Sequence, residues 1–327
     1  MLLPLPPAVA SKVRQDFSTV RYAAAAVFFR APARSVREDG PPIPLPLPPA
    51  VVTRQFRADG KDFFMQDNVE IEKRNQLLAL MQEWQETVST EEVIFKDDNK
   101  KYYGNEYFSC DGFFPGYYRT NPKVLFIGRE TRYTGGLDYI ESTIDTFRKQ
   151  NIDQTSLIFY QRILCMYNVI RNNGIIDENI TADQIAKSMV DKKDYGFAIM
   201  NISKYSNDSD TGKTRDKYLM NKFFEDSKLD KTHYIKKELE ILDPDLIITA
   251  NLWDGTINKE YLDKHLGKTT SLGKYVKVNS DCVASLNSIE LNNKSIKLID
   301  TYHFSRWDVS GMDYYYKPIK ELLFDKS

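Results

Sequence analysis

The chain has 327 residues, of which 42% are hydrophobic and 28% are charged. This length and composition are typical of one large or two ordinary globular domains. No apolar run reaches the roughly 18 residues that a membrane span needs, so we expect no membrane association. The cysteines, Cys110, Cys165 and Cys282, lie far apart in the sequence. This spacing disfavours a metal cluster or a disulfide framework and predicts reduced thiols in the cytoplasm.

The formal net charge of −1 gives no support to nonspecific nucleic-acid binding, which depends mainly on phosphate neutralisation. Any contact with nucleic acid must come from a local basic surface. Residues 1–64 differ from the rest, because ten of the fourteen prolines lie there. Such a segment favours polyproline II and has no apolar period, so we predict a disordered, dispensable extension ahead of a domain at 65–327.

Three interpretations of residues 1–64 are open. An upstream segment ahead of a genuine start at Met65 is favoured. The arginine-rich, acid-poor beginning also resembles an organelle transit peptide. The third interpretation is a proline-rich tail that binds a partner protein.

From Met65 onward, the apolar stripe of Leu77, Leu78, Met81 and Trp84 predicts an N-terminal helix. The aromatic segment 102–118 that follows has no clear period. Packing into the core is favoured for it over lining a pocket.

Beyond this segment, short apolar runs alternate with helical patterns. A stripe from Tyr160 to Ile170, a capping box of Thr181 and Gln184, and a segment ending before Pro244 predict three helices. A last helix should begin near Pro318. The apolar runs predict buried strands at 124–127, 197–200, 246–249 and 296–299.

Strands separated by helices imply crossover connections. The predicted architecture is therefore a three-layer α/β/α sandwich around a central, mainly parallel four-stranded sheet. In open α/β sheets, ligands bind beyond the carboxyl ends of the strands. Acid, amide and imidazole side chains follow these predicted strands, so we expect a site at that edge.

Four short motifs flank the predicted strands in order along the chain. Gly128-Arg129-Glu130 ends the first strand, and Asn201-Ile202-Ser203-Lys204 follows the second. Leu242-Asp243-Pro244-Asp245 forms the turn before the third strand, and Thr301-Tyr302-His303-Phe304-Ser305 ends the fourth. Across about residues 110–325, this ordered set resembles the strand-end motifs of the uracil-DNA glycosylase superfamily.

Two departures place the chain away from the well-known branches. Thr131 follows Glu130 where the superfamily usually has proline, and Phe304 replaces the proline after His303. Uracil itself is therefore in doubt as the target base. Three cysteines are too few for the iron–sulfur branch, so we expect no cofactor and no metal.

The resemblance implies a monofunctional DNA glycosylase, which must stabilise a sugar cation and a leaving base after the nucleotide is flipped out. It assigns catalysis to Glu130, which would activate water, and to His303, which would hydrogen-bond the departing base. It assigns base binding to Asn201 and Tyr133. The alternatives are a surface carboxylate, a packed histidine and a turn-forming asparagine.

The resemblance also implies contacts with single- or double-stranded DNA. Side chains around the strand ends would contact phosphate, and aromatic or arginine side chains after His303 would fill the gap left by the flipped base. For Lys204 a solvated loop lysine is favoured over a phosphate contact or a nucleophile. The expected DNA-binding residues are Arg129, Ser203, Lys204, Ser305, Arg306 and Trp307.

Two other functions compete with this one for what we expect to be a monomeric protein. The first is a catalytically silent member of the same fold that binds nucleic acid or a protein. The second is a nucleotide-binding protein of flavodoxin type. The second is disfavoured because Gly128 is followed by bulky side chains, whereas phosphate-binding loops are rich in glycine.

Overall fold

The computed structural model describes residues 68–94, 101–207, 217–252 and 263–325. The predicted extension, residues 1–64, lies outside these ranges, so its expected disorder stays a prediction. Within the described part of the chain, no helix combines the length and apolar composition that a bilayer span requires.

The apolar stripes form the predicted helices. Thr181 caps its helix by the reciprocal pattern expected, accepting from the backbone of Gln184, whose side chain accepts from the backbone of Thr181. Pro318 lies in the first turn of the last helix. The α-helices are α1 (Asn68–Val88), α2 (Gly104–Tyr107), α3 (Tyr139–Lys149), α4 (Ile158–Arg171), α5 (Ala182–Lys192), α6 (Lys217–Asp226), α7 (Leu229–Thr232), α8 (Tyr234–Leu242) and α9 (Lys317–Leu323), with 3₁₀ turns at Tyr117–Arg119 and Thr155–Leu157 and a π-helix at Met312–Tyr316.

All four predicted strands form, and further strands accompany them. A separate two-stranded sheet follows α1, and the other strands belong to one seven-stranded sheet. The strands are β1 (Glu92–Ile94), β2 (Lys101–Tyr103), β3 (Gly112–Phe113), β4 (Val124–Gly128), β5 (Phe197–Asn201), β6 (Leu246–Ala250), β7 (Thr269–Val278), β8 (Asp281–Leu291) and β9 (Lys294–Thr301).

The seven-stranded sheet has the order β3-β5-β4-β6-β9-β8-β7. The predicted strands β5, β4, β6 and β9 lie side by side and pair in parallel. Strands β3, β8 and β7 pair antiparallel, and the β7–β8 and β8–β9 ladders are the longest of the sheet. The prediction of a four-stranded, mainly parallel sheet is therefore wrong, although the α/β class is confirmed.

Two tight turns join the missed strands β7 and β8 to each other and to β9. Asn279 and Ser280 connect β7 to β8 with φ of 48° and 74°, and Asn292 and Asn293 connect β8 to β9 with φ of 52° and 60°. Two consecutive residues at positive φ match the right-handed twist of antiparallel strands, and asparagine tolerates this conformation well. These turns extend the parallel core into an antiparallel meander.

Helices cover both faces of the sheet. Along β4, Leu125 and Ile127 point to a cluster that includes α1, α6 and α8. Val124 and Phe126 point to the opposite cluster, which includes α3, α4, α5 and α9. This alternation buries every residue of β4, as expected for a central strand with two covered faces.

The aromatic segment after β2 packs into the core, as favoured from its sequence. Phe113 and Phe114 lie on opposite faces of the sheet, and Tyr117 stacks near Phe113 with ring centroids 5.9 Å apart. Phe113 belongs to β3, the strand that pairs with β5. The segment therefore closes one edge of the sheet.

Candidate functional site

The carboxyl ends of the four parallel strands form one edge with a reversal of strand order. The helices between β4 and β5 lie on one face, whereas those between β5 and β6 lie on the other, because the chain crosses over β4 to reach β6. A crevice at such a reversal is the usual ligand site of an open α/β sheet. Glu130 follows β4, Asn201 ends β5 and His303 follows β9, so the sheet brings the three residues to this edge.

Their order along the edge is fixed by the strands. β5 and β4 are neighbours, with Gly128 opposite Asn201 in the register. β4 and β9 are separated by β6. Neighbouring strands lie roughly 4.8 Å apart, so the ends of β4 and β9 are on the order of 10 Å apart. Glu130 and His303 therefore reach this edge at separate positions.

Asn201 is buried and held by a residue that the sequence did not single out. Its backbone N–H donates to Oδ2 of Asp111 at 2.6 Å, and its Nδ2 donates to the same oxygen at 3.3 Å. On the other side, a Cβ built on Gly128 would lie 2.6 Å from Oδ1 of Asn201. The asparagine side chain therefore lies closely against the end of β4, which only glycine permits.

Lys204 is completely buried in an ionic triad with two carboxyl groups. Its Nζ lies 2.6 Å from Oδ1 of Asp111 and 2.8 Å from Oε2 of Glu238, both of which have no exposed side-chain surface. The same ammonium donates to the carbonyl oxygen of Asn201 at 2.8 Å and lies 5.3 Å from the ring centre of Trp84. This geometry contradicts both the favoured solvated loop lysine and a direct phosphate contact.

The electrostatics of the triad also argue against a nucleophilic lysine. Burial alone would lower the pKa of Lys204, but the charges of Asp111 and Glu238 raise it above its ordinary value. The pKa of Glu238 is raised well above its usual range, because burial outweighs the attraction of Lys204 and the nearby Asp111 adds to the effect. The surroundings therefore favour the protonated form of both Lys204 and Glu238.

The segment from Asn201 to Asn207 is buried along its whole length, although a solvated loop was expected around Lys204. Its backbone is hydrogen-bonded on both sides: Ser203 N–H donates to the carbonyl of Arg129 at 2.8 Å, and Ser109 N–H donates to the carbonyl of Lys204 at 2.8 Å. Two neighbouring backbone segments therefore take up the polar groups that a loop would present to water.

Arg129 and Ser203 are buried as well, so neither presents the exposed surface expected of a phosphate contact. Oγ of Ser203 and Oγ1 of Thr131 make no hydrogen bond within the residues that the structure describes. Buried hydroxyl groups normally have partners. These two hydroxyls are candidate contacts for a polar ligand that enters the end of the β4–β5 pair.

Glu130 is half-buried, and its Oε2 is shielded from solvent. It lies two residues beyond β4, the strand at the reversal of strand order. The half-buried carboxylate therefore lies at the carboxyl edge of the sheet with part of its surface exposed. That placement suits a group that holds a water molecule.

His303 is half-buried and its ring is oriented by the following residue. The backbone N–H of Ser305 donates to Nδ1 at 3.2 Å. Because Nδ1 accepts a hydrogen bond, the proton of the neutral imidazole sits on Nε2. The hydroxyl of Tyr315, in the π-helix, donates to the carbonyl of His303 at 2.8 Å and fixes the loop. His303 is therefore prepared as a hydrogen-bond donor through Nε2.

The residues after His303 divide between core and surface. Phe304 is fully buried and packs against Phe126 with ring centroids 5.9 Å apart, so it is part of the core and not a wedge for DNA. Ser305 and Arg306 are exposed, and the guanidinium of Arg306 lies 4.5 Å from the ring centre of Tyr302. Trp307 is 70% exposed.

Tyr133, on the loop after β4, is 62% exposed and has a φ of 56°. A bulky residue rarely adopts this left-handed conformation. The backbone here is held by hydrogen bonds of neighbouring residues: Asn207 N–H donates to the carbonyl of Thr131, and Thr134 N–H donates to Oγ of Ser206. Exposed aromatic side chains therefore follow both β4 and β9.

A further acid supports the edge. Asp300, near the end of β9, accepts hydrogen bonds from Oγ1 of Thr249 and from the backbone N–H of Leu252 at 3.3 Å. It ties the end of β6 to β9 and thereby holds the strand between Glu130 and His303. Sequence analysis assigned no role to it.

Among the described residues, no group of three or more histidine, cysteine or acidic side chains is arranged to hold a metal ion. Cys110 lies beside the triad. Burial, followed by the charges of Asp138 and Asp111, raises the pKa of its thiol to about 12. Its sulfur is therefore a thiol and not a reactive thiolate at neutral pH.

Comparison with known proteins gives no family assignment. No family model matches the chain, and no curated protein is significantly similar to it.

Proposed function

We propose that the protein is a DNA glycosylase that hydrolyses the N-glycosidic bond of a flipped, damaged or modified base. The observation that carries this proposal is the meeting of Glu130, Asn201 and His303 at one sheet edge around the reversal of strand order. Each side chain comes from a different parallel strand. Their chemistry corresponds to the three tasks of base excision: managing water, reading the base and stabilising the leaving group.

In the proposed reaction, the bond between C1′ of the deoxyribose and the base nitrogen breaks, and its electron pair leaves with the base. Positive charge develops on the sugar and negative charge on the base. The carboxylate of Glu130 stabilises the sugar cation, orients a water molecule toward C1′ and accepts the proton of that water as the new C–O bond forms.

His303 acts on the other product. Because Nδ1 accepts from the backbone N–H of Ser305, the Nε2 atom is the one that can donate. A hydrogen-bond donor at this position stabilises negative charge on an oxygen of the departing base. Asn201 contributes the donor and acceptor that read the base edge.

Exposed side chains around the crevice provide the DNA contacts in this proposal. Tyr133 and Trp307 offer aromatic surface for stacking, and Arg306 and Ser305 offer hydrogen-bond donors. Arg129, Ser203 and Lys204 are withdrawn from the expected phosphate contacts because they are buried. In this proposal the protein is a monomer that acts on DNA in the cytoplasm and needs no cofactor.

A catalytically silent member of the same fold is the second candidate. One observation favours it: three of the six residues expected to contact DNA, namely Arg129, Ser203 and Lys204, are buried. A protein that lacks those contacts makes fewer interactions with the DNA phosphates and binds DNA more weakly. This candidate keeps the fold and the sheet edge but excises no base, and it binds a protein partner or, with fewer phosphate contacts, nucleic acid.

The test is incubation of the full-length chain with single- and double-stranded oligonucleotides that each carry one modified base, followed by cleavage of abasic sites. Excision of one or more bases above the level of a Glu130→Gln, His303→Ala double variant is expected. If no base in the panel is released while the folded protein binds the oligonucleotides or another protein, the silent candidate replaces the enzyme.

A further inference from the structure

Asn201 is held through most of its polar groups. Its backbone N–H and its Nδ2 both donate to Oδ2 of Asp111, at 2.6 Å and 3.3 Å. Its backbone carbonyl accepts from Nζ of Lys204 at 2.8 Å. Oδ1 and the second proton of Nδ2 are the groups left for a ligand. These buried contacts to a carboxylate and an ammonium are more than a turn-forming asparagine requires.

The carboxylate of Asp111 selects one of the two orientations of the Asn201 amide. A rotation by 180° about the last side-chain bond would exchange Nδ2 and Oδ1. It would then bring an amide oxygen to the position that now lies 3.3 Å from the Asp111 oxygen. Two acceptors at this distance repel in a buried environment. The observed orientation is therefore the stable one.

Asp111 is itself fixed by Lys204. The Lys204 ammonium has three protons, and its three polar neighbours are Asp111 at 2.6 Å, the carbonyl of Asn201 at 2.8 Å and Glu238 at 2.8 Å. All of these groups are buried. The two oxygens of Asp111 are thereby both held: Oδ1 accepts from the Lys204 ammonium, and Oδ2 accepts from the backbone and side-chain donors of Asn201.

We propose that Asp111 and Lys204 are positioning residues that lock the amide orientation of Asn201 and so determine which base edge the site accepts. This inference rests on the proposed glycosylase function. A locked amide presents donor and acceptor in one order only. It therefore distinguishes a lactam edge, with N–H beside C=O, from an amidine edge, with an unprotonated ring nitrogen beside NH₂. Uracil against cytosine, and hypoxanthine against adenine, are the matched pairs.

Asp111→Asn is the variant that tests the lock. An asparagine at 111 can turn its oxygen toward Lys204 or toward the Asn201 donors, but it cannot supply a carboxylate to both. We expect the ratio of single-turnover excision rates for the two bases of a lactam–amidine pair to fall at least roughly tenfold. In this variant the Asn201 amide can adopt both orientations, so the base that the wild type rejects can also pair with it.

Asp226→Asn is the matched control. Asp226 is also buried and also accepts from a lysine, Lys222, and from the hydroxyl of Tyr205 at 2.8 Å, but it lies in α6. Its replacement makes the same chemical change elsewhere and should leave the excision ratio unchanged.

Gly128→Ala is a second test variant. Its Cβ would displace Oδ1 of Asn201 from the opposite side and should also lower the ratio.

A second readout does not depend on activity. The side-chain NH₂ protons of Asn201, identified by their loss in Asn201→Asp, should exchange slowly with solvent in the wild-type chain and in Asp226→Asn, and at least roughly tenfold faster in Asp111→Asn. If exchange accelerates as expected but no base is excised by wild type, the lock stands and the glycosylase function fails. If Asp111→Asn changes neither the exchange rate nor the excision ratio, the positioning role is wrong.

Discussion

Glu238→Gln should make the stability of the protein less sensitive to rising pH. Burial raises the pKa of Glu238 well above its ordinary value of 4.5, Lys204 opposes this shift and Asp111 adds to it. Glutamine reproduces the protonated acid in shape and hydrogen-bonding pattern, since its oxygen can accept from Lys204 and its NH₂ can donate to Asp111. The variant therefore keeps the neutral form of the triad at every pH.

The direction follows from proton binding. Below pH 4.5 both the folded and the unfolded wild-type chain hold the proton, so Glu238 contributes no pH dependence. Above it the unfolded chain releases the proton while the folded protein retains it, so rising pH favours unfolding. Each pH unit in this window lowers the free energy of unfolding by about 1.4 kcal/mol. Between pH 5 and pH 8 the free energy of unfolding of the wild type should therefore fall relative to that of Glu238→Gln.

Urea unfolding at pH 5 and pH 8 measures this difference. All other groups titrate in both proteins, so the comparison isolates position 238. Glu240→Gln, on the exposed face of α8, makes the same chemical change outside the triad and serves as the control. This prediction is refuted if the difference in free energy of unfolding between wild type and Glu238→Gln is the same at both pH values. Glu238 would then be ionised in the folded protein, and the triad would not be neutral.

Three further predictions concern packing, capping and DNA contact. Trp84→Ala should cost about 3–5 kcal/mol in urea unfolding, because the ring is buried, stacks on Tyr234 at 5.0 Å and donates to Ser227 at 2.8 Å. Thr181→Ala should cost about 1 kcal/mol in the same assay through loss of the α5 cap; no loss would mean that the cap is replaced by water. Trp307→Ala should change stability by less than about 0.5 kcal/mol but weaken binding to single-stranded DNA by about 1–3 kcal/mol, measured by fluorescence anisotropy. Unchanged affinity would remove Trp307 from the interface.

The parallel core of the fold was predictable because its signals are local. The four strands at 124–127, 197–200, 246–249 and 296–299 are continuous apolar runs, which is the pattern of strands buried on both faces. β7 was missed because its residues are mostly exposed and its apolar pattern is weak. The Asn279-Ser280 and Asn292-Asn293 turns were the available signal for this meander.

The positions of site residues at strand ends were predictable, but their burial was not. Nothing local indicates that Lys204 is buried, because its partners Asp111 and Glu238 are distant in the sequence. One signal was present: Glu238 lies on the same stripe of α8 as Ile235 and Leu242, so its carboxyl group falls on an apolar face. A carboxyl there needs a buried partner, which points to an ionic group in the core.

The most direct test of the proposed function is single-turnover excision by the full-length chain, compared with Glu130→Gln and His303→Ala, on the base that the panel identifies. The account predicts that each variant excises roughly 10²-fold more slowly or worse, because each loses stabilisation of charge that develops only in the transition state. Binding to abasic DNA should survive in both. Excision by one variant at the wild-type rate would contradict the role given to that residue. If both variants excise at the wild-type rate, the active site does not lie at this sheet edge.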